Sequence, residues 1–229
     1  MACRILIANS NTNAAMTERM LEVARRWASV SSELHGATAS YGSAAIQSTE
    51  EVAIAARATA EMVEAADVDV AIIACFADPG LEGIRQRSPI PVLGLAEAAA
   101  HVAAAVATRF SVITVRGQSE VLASNLLCSY GFAPRLASVR GIDSSLCSLG
   151  ENPERFREAI RLEALLAHTE DGAQAVVLGG AFFVGIAEHI RTPIPLIDPL
   201  VAALKVAEAA VSPAKTAAMT AGGLIERPR

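Results

Sequence analysis

Two stretches decide the fold: residues 70–80, VAIIACFADPG, followed by 88–103, SPIPVLGLAEAAAHVA, and residues 175–185, AVVLGGAFFVG, followed by 192–207, TPIPLIDPLVAALKVA. Each pair reads in the same order: an apolar run suited to a buried strand, a small residue, a loop, a short helix, a Pro-Ile-Pro strand and an alanine-rich helix. Self-similarity of this kind implies two βα-built lobes related by an approximate two-fold axis. In open α/β sheets ligands bind just beyond the carboxyl ends of the strands. A ligand in the cleft would therefore meet Cys75 from one side and position 180, a glycine, from the other. On position alone Cys75 has two readings: a nucleophile or proton carrier at a crevice, or a small buried hydrophobe closing a strand.

Working outward, residues 4–8 (RILIA) predict a buried parallel strand, followed by the polar loop Asn9-Ser10-Asn11-Thr12 and a helix from about Asn13 to Trp27. Thr12 or Asn13 can cap that helix, and the loop offers amides, hydroxyls and backbone N–H groups at its start. A weaker strand at 34–38, a break at Tyr41-Gly42-Ser43 and a helix over 48–66 lead to the Cys75 strand. Residues 110–115 restart the order with a strand, the loop Arg116-Gly117-Gln118-Ser119 and a helix to about Tyr130. A strand at 136–139, an irregular loop over 141–152 and a helix from Pro153 to His168 precede the second repeat. There a short helix is expected to reach Ile190, and the last helix to end near Ala210, with a polar tail from Ser212 carrying a short helix at 214–221.

Composition narrows the function classes. The 229 residues are 52% hydrophobic and 19% charged, a globular balance, with aromatics at only 4%. A net charge of -5 and no clustered Lys/Arg patch argue against nucleic acid as a partner. Cys3, Cys75, Cys128 and Cys147 are widely and irregularly spaced, so no metal site is expected. No run is long enough to span a membrane, and the apolar run near the amino terminus is too short for a signal peptide, so a cytoplasmic protein with free thiols is expected. Alanine-rich helices suggest a homo-oligomer of unspecified size.

Opposed groups on either face of one carbon are what a two-base racemase requires, one removing a proton and the other returning it. Thiols suit the task because nearby N–H dipoles can lower their pKa. The remaining polar residues have simpler readings. His101 reads as a core or interface residue, His189 as a helix-dipole partner, Glu97 and Asp198 as residues that cap or begin helices, and Arg116 as a solvated loop residue or a contact for an anionic ligand.

Several motifs together give the chain a family resemblance. Asn9-Ser10-Asn11-Thr12 with Met16-Thr17-Glu18, Ala74-Cys75-Phe76-Ala77-Asp78-Pro79-Gly80, Pro91-Val-Leu-Gly94, Arg109-Phe110-Ser111-Val112 with Thr114, and Pro195-Leu-Ile-Asp198-Pro199 resemble the aspartate/glutamate/hydantoin racemase superfamily, above all its hydantoin and allantoin racemase branch. The resemblance spans nearly the whole chain. It implies an α/β fold of two Rossmann-like, flavodoxin-like parallel-sheet lobes related by pseudo-two-fold symmetry, with the active site in the cleft between them. The first lobe would hold residues 1–97 and 199–229, the second 98–198.

The likeness also implies a cofactor-independent racemase or epimerase acting by proton transfer at a carbon next to a carboxylate or carbonyl. Its substrate would be a small anionic or cyclic-amide molecule such as a hydantoin, allantoin or an amino-acid-like compound. Cys75 would be the thiol acid/base. Asn11, Thr12 and the backbone N–H groups of Phe76 and Ala77 would hold substrate oxygens; Thr114, Gly179, Gly180 and Ala181 would form the opposite wall; Ser43 and Ile46 would line the entrance. Three departures stand out. Ser10 replaces a proline, Val115-Arg116-Gly117-Gln118 departs from the usual threonine and leucine, and Gly180 stands where the family pattern places its second catalytic cysteine, followed by Phe182-Phe183 in place of smaller residues and methionine. Two other functions compete: a one-thiol decarboxylase or cis-trans isomerase of a dicarboxylate, and a catalytically silenced small-molecule-binding paralogue.

Overall fold

A computed structural model describes residues 3–147 and 153–222. The first half builds a four-stranded sheet from β1 (Cys3–Asn9), β2 (Ser32–Thr38), β3 (Val70–Ile73) and β4 (Val92–Gly94), in the order β2-β1-β3-β4. The second half repeats it with β5 (Phe110–Val115), β6 (Leu136–Ile142), β7 (Ala175–Leu178) and β8 (Leu196–Ile197), in the order β6-β5-β7-β8. Every pairing is parallel. Central strands of a parallel sheet are covered on both faces, which is why β3 and β7 are continuous apolar runs buried along their full length. The outer strands β2 and β6 are only half-buried and carry the mixed sequences SELHGAT and LASVRGI.

The helices start on identifiable caps. Asn13 accepts from the Met16 N–H to open α1 (Ala14–Trp27), and a reciprocal Ser48/Glu51 capping box opens α2 (Thr49–Ala65). After α3 (Leu81–Arg87), helix α4 (Leu95–Val106) lies between the lobes. Its Leu95 and Ala98 belong to the core under the first sheet, whereas Ala96, Ala99, Ala100 and Ala103 pack with Phe110, Val112 and Val177 of the second. Small side chains on both faces let one helix serve two cores at once. Helices α5 (Gln118–Ser129) and α6 (Pro153–Thr169) cover the second sheet, and α7 (Pro199–Gly222) returns to the first, burying Leu200, Ala203, Leu204 and Ala207 against Ile5, Val70 and Ile72.

Three elements differ from the sequence reading. The segment after β7 is two single 3-10 turns, Ala181–Phe183 and Ala187–His189, split by Gly185 in the left-handed region (φ 80°), so no continuous helix reaches Ile190. The strand at 136–139 continues to Ile142, and the loop after it contains a 3-10 turn at Ser144–Cys147; residues 148–152 of that expected loop lie outside the described residues. Helix α7 continues through Pro213 to Gly222 where a break near Ala210 is expected; a proline removes one N–H donor, and helix-favouring alanine on both sides carries the backbone past it. The end of the expected tail, residues 223–229, is also outside the described residues.

Candidate active site

In each sheet the first and third strands feed connections that run to opposite sides, helices after β1, β3 and β5 and the two 3-10 turns after β7, so a crevice opens at the carboxyl ends of β1/β3 and β5/β7. The two crevices face each other across a cavity of about 150 Å3. Its walls come from all four strand ends: Asn11 after β1, Cys75 after β3, Thr114 at the end of β5 and Gly179-Gly180 after β7.

Cys75 is half-buried, open to the cavity but otherwise enclosed by protein. Burial pushes its thiol up to about 12, with a further push from the Asp78 carboxylate and a partial offset from the Ala77 N–H directed at the sulfur. The resting group is therefore a protonated thiol. Among the described residues that line the cavity, Cys75 is the one titratable side chain. The Ala77 N–H, expected to hold a substrate oxygen, lies beside the Cys75 thiol and lowers its pKa.

Asn11 is oriented by a network of hydrogen bonds anchored on the buried Asn9. Its Oδ1 accepts from Asn9 Nδ2 (3.0 Å) and from the Asn13 N–H (2.9 Å), and its own N–H donates to Asn9 Oδ1 (3.2 Å). Asn9 Nδ2 also reaches Thr17 Oγ1 at 3.0 Å, which in turn meets Thr38 Oγ1 at 2.6 Å. With its carbonyl occupied, Asn11 has its Nδ2 left to donate to a ligand oxygen. Across the cavity the buried Thr114 hydroxyl donates to the Gly179 carbonyl at 2.6 Å. Its oxygen is thereby left to accept from a ligand N–H.

Gly179 and Gly180 are small for different reasons. A Cβ on Gly179 would lie 2.5 Å from Val112 Cγ1, inside the sheet. A Cβ on Gly180 would lie 2.9 Å from Phe182 Cε1 and 3.2 Å from Phe183 Cδ2, so the Phe182 ring fills the space that a side chain at 180 would take. Phe182 is held there against Phe183 (ring centroids 4.3 Å), and Phe183 stacks on Phe156 of α6 (5.6 Å, 10°).

The other expected site residues divide. Ile46, Phe76 and Ala181 line the cavity. Thr12 and Ser43 are not among its lining residues; they shape the entrance loop, where the Thr12 N–H donates to the Ser43 carbonyl (3.1 Å) and the Ser43 hydroxyl donates to the Ala45 carbonyl (2.7 Å). Gln47 and Ser119 at the start of α5 line the cavity but were not singled out in sequence, whereas Phe182, noted there as a departure beside Gly180, lines it as well. Ser119 had a signal, since it lies in the loop that repeats the Asn11 loop.

No Lys or Arg lines the cavity among the described residues. Arg116 turns away and donates to the Gly141 carbonyl, and Arg19 donates to that of Val184. His101 packs edge-on against Phe132, and Glu97 pairs with Arg85. Asp198 caps α7 by accepting from the Leu200 and Val201 N–H groups, and also accepts from the Gly185 N–H. Among the described residues no group of three or more His, Cys, Asp and Glu is arranged to hold a metal ion, and no helix is long and apolar enough to cross a membrane.

Fold and cavity together define a two-lobed, doubly wound α/β protein with a cavity at facing strand ends. The Asp/Glu/hydantoin racemase family model matches residues 5–207. The hydantoin racemase of Paenarthrobacter aurescens is 33% identical over 215 residues, covering 91% of this chain and 91% of that protein. Allantoin racemase from Pseudomonas fluorescens has a solved structure that matches with a TM-score of 0.87 at 35% identity, covering 91% of this chain and 90% of that one. The allantoin racemase structure from Klebsiella pneumoniae likewise gives a TM-score of 0.87 at 35% identity, covering 92% of this chain and 88% of that one. The chain belongs to the Asp/Glu/hydantoin racemase family.

Proposed function

We propose that this protein is a cofactor-independent proton-transfer enzyme acting on a small, uncharged cyclic amide of the hydantoin type, with Cys75 as its thiol acid/base. The observation that carries the reading is the solitary thiol at the meeting point of four strand ends, between the Asn11 donor and the Thr114 acceptor. A carbonyl oxygen and an N–H in one ring suit that donor and acceptor. A dicarboxylate carries two charges, and no cationic side chain lines the cavity among the described residues to offset them, so the decarboxylase and cis-trans isomerase readings have less support.

Chemically, the Cys75 thiolate takes the proton from the carbon next to the ring carbonyl; that electron pair passes into the carbonyl as an enolate, which Asn11 Nδ2 stabilises through the oxygen. The resulting thiol returns a proton to the same face. On the Gly180 face the described lining residues include no ionisable side chain, so a proton reaching that face comes from water. The Phe182 ring supplies an apolar surface there. Because burial holds the thiol protonated, the base form is scarce at neutral pH, and the Cys75-dependent rate should rise about tenfold per pH unit through the range where the fold survives.

The test is hydrogen–deuterium exchange in D2O, followed by NMR, with a single enantiomer of a 5-substituted hydantoin, allantoin, an amino acid and an arylmalonate, for the native protein and Cys75→Ser. Exchange at the ring carbon of the cyclic amides that disappears in Cys75→Ser supports the reading. Exchange confined to the amino acid, or turnover of the malonate alone, would replace it, and binding without exchange would favour a silenced paralogue.

A further inference from the structure

Three residues beyond Cys75, Asp78 is a buried carboxylate with an unusual set of partners. It is 4% exposed and, among the described residues, is the one non-glycine in the left-handed region (φ 43°). Its N–H closes the turn onto the Cys75 carbonyl at 3.0 Å. Its carboxylate accepts from the Ala96 N–H (3.0 Å) and the Glu97 N–H (2.9 Å) at the start of α4. The third donor comes from the other lobe: the Tyr130 hydroxyl, just after α5, donates at 3.0 Å. The Tyr130 ring packs against apolar cores on both sides of that boundary. Gly94 completes the fit, because a Cβ there would lie 2.3 Å from Asp78 Oδ2.

A helix cap alone does not require this arrangement. At the matching place in the second repeat α7 is capped by Asp198, whose carboxylate accepts from three backbone N–H groups and, among the described residues, from no side chain. Both carboxylates are buried, but Asp78 caps its helix from inside the Cys75 turn, on a left-handed backbone and with the Tyr130 hydroxyl as an added donor.

Resting on the assignment of Cys75 as the reacting group, we propose that Asp78 is a positioning residue for Cys75 and that Tyr130 is the latch that holds it there from the opposite lobe. The turn fixes where the sulfur stands in the cavity, and the latch ties that position to the approach of the two lobes. The buried charge also faces the thiol and disfavours its ionised form. The charged and titratable groups around Asp78 are Cys75 in its own turn, Arg85 on α3, Glu97 on α4 and Tyr130 on α5.

The proposal is tested without turnover, so its failure is separable from failure of the enzymatic assignment. Full-length protein labelled with carbon-13 at cysteine Cβ is titrated by NMR as the native form, Asp78→Asn and Tyr130→Phe. The native Cys75 signal should stay unshifted to about pH 10, and Asp78→Asn should bring its midpoint down by about one pH unit. Tyr130→Phe keeps the charge and both helix contacts, so it should leave the midpoint high while the Asp78 amide, bonded to the Cys75 carbonyl, exchanges at least about tenfold faster with solvent. An unmoved Cys75 midpoint in Asp78→Asn, with only a loss of stability, would reduce Asp78 to a helix cap. Native exchange of the Asp78 amide in Tyr130→Phe would remove the latch. That second variant retains the carboxylate cap and the aromatic ring, so the question stays answerable if Asp78→Asn does not fold.

Discussion

At the end of β3 the chain turns through Cys75 into a left-handed Asp78 that caps α4; at the end of β7 it turns through Gly180 into the tilted ring pair of Phe182 and Phe183, and α7 is capped by its own Asp198. The two lobes share strand order, pairing and even a left-handed glycine at matching places, Gly80 (φ 76°) and Gly185 (φ 80°). What they do not share is chemistry. The first lobe brings the thiol, the oriented Asn11 amide and a buried charge behind the thiol. The second brings a hydroxyl whose proton is already committed, two glycines and an aromatic wall. Backbone symmetry is thus set by hydrophobic pattern and turn residues, which both halves repeat, while the proposed proton transfer would rest on a single side chain, Cys75, with Gly180 at the matching place.

The asymmetry can be broken most severely at the thiol. Cys75→Ser should reduce exchange at the ring carbon by at least about 100-fold while ligand-induced NMR shifts persist, because the cavity loses its acid/base and keeps its shape. Restoring the symmetry needs two changes. Gly180→Cys alone should give no gain, since its Cβ would press on the Phe182 ring; Gly180→Cys with Phe182→Ala should raise inversion of a single enantiomer by about tenfold over Phe182→Ala alone, read by chiral chromatography.

A pH experiment sharpens the charge difference. Burial raises the Asp78 carboxyl to about 6 despite its three donors. A carboxyl raised in the folded state binds its proton more tightly there than in the unfolded chain. Its contribution to stability is therefore full below about pH 4 and lost as pH rises through about 6, a span of about 3 kcal/mol at most. Urea unfolding of the native protein and Asp78→Asn at the two ends of that range should show the native form losing stability relative to the variant as pH rises. The smallest effect belongs to Thr114→Val. Losing the acceptor should raise KM about tenfold with little change in kcat, provided thermal unfolding shows that the Gly179 turn has survived.

Much of this was legible in the sequence because it follows from pattern. Apolar runs at 70–73 and 175–178 between turn residues mark buried parallel strands, and their repetition marks two lobes. Asn13 and Ser48 announce helix starts by residue type. Cys75 and Gly180 follow from strand ends, which the repeat locates. The Asp78 role was not legible, since Asp78-Pro79-Gly80 reads as an ordinary turn and nothing local shows that Tyr130, 52 residues away, will bond it. Nor could sequence tell that Arg116 turns to Gly141, or that the Phe182 ring fills the volume beside Gly180; those depend on tertiary packing. The 3-10 turns after Gly180 were missed because a short apolar run between glycines has helical spacing but no length to sustain a helix.

The most direct test of one-sided chemistry is the ratio of deuterium uptake to inversion, measured on one enantiomer of a 5-substituted hydantoin in D2O and corrected with Cys75→Ser. With a single thiol facing Gly180, uptake with retained configuration should outrun inversion several-fold. Equal rates of uptake and inversion would place a second proton donor on the Gly180 face and contradict the assignment of Cys75 as the sole acid/base.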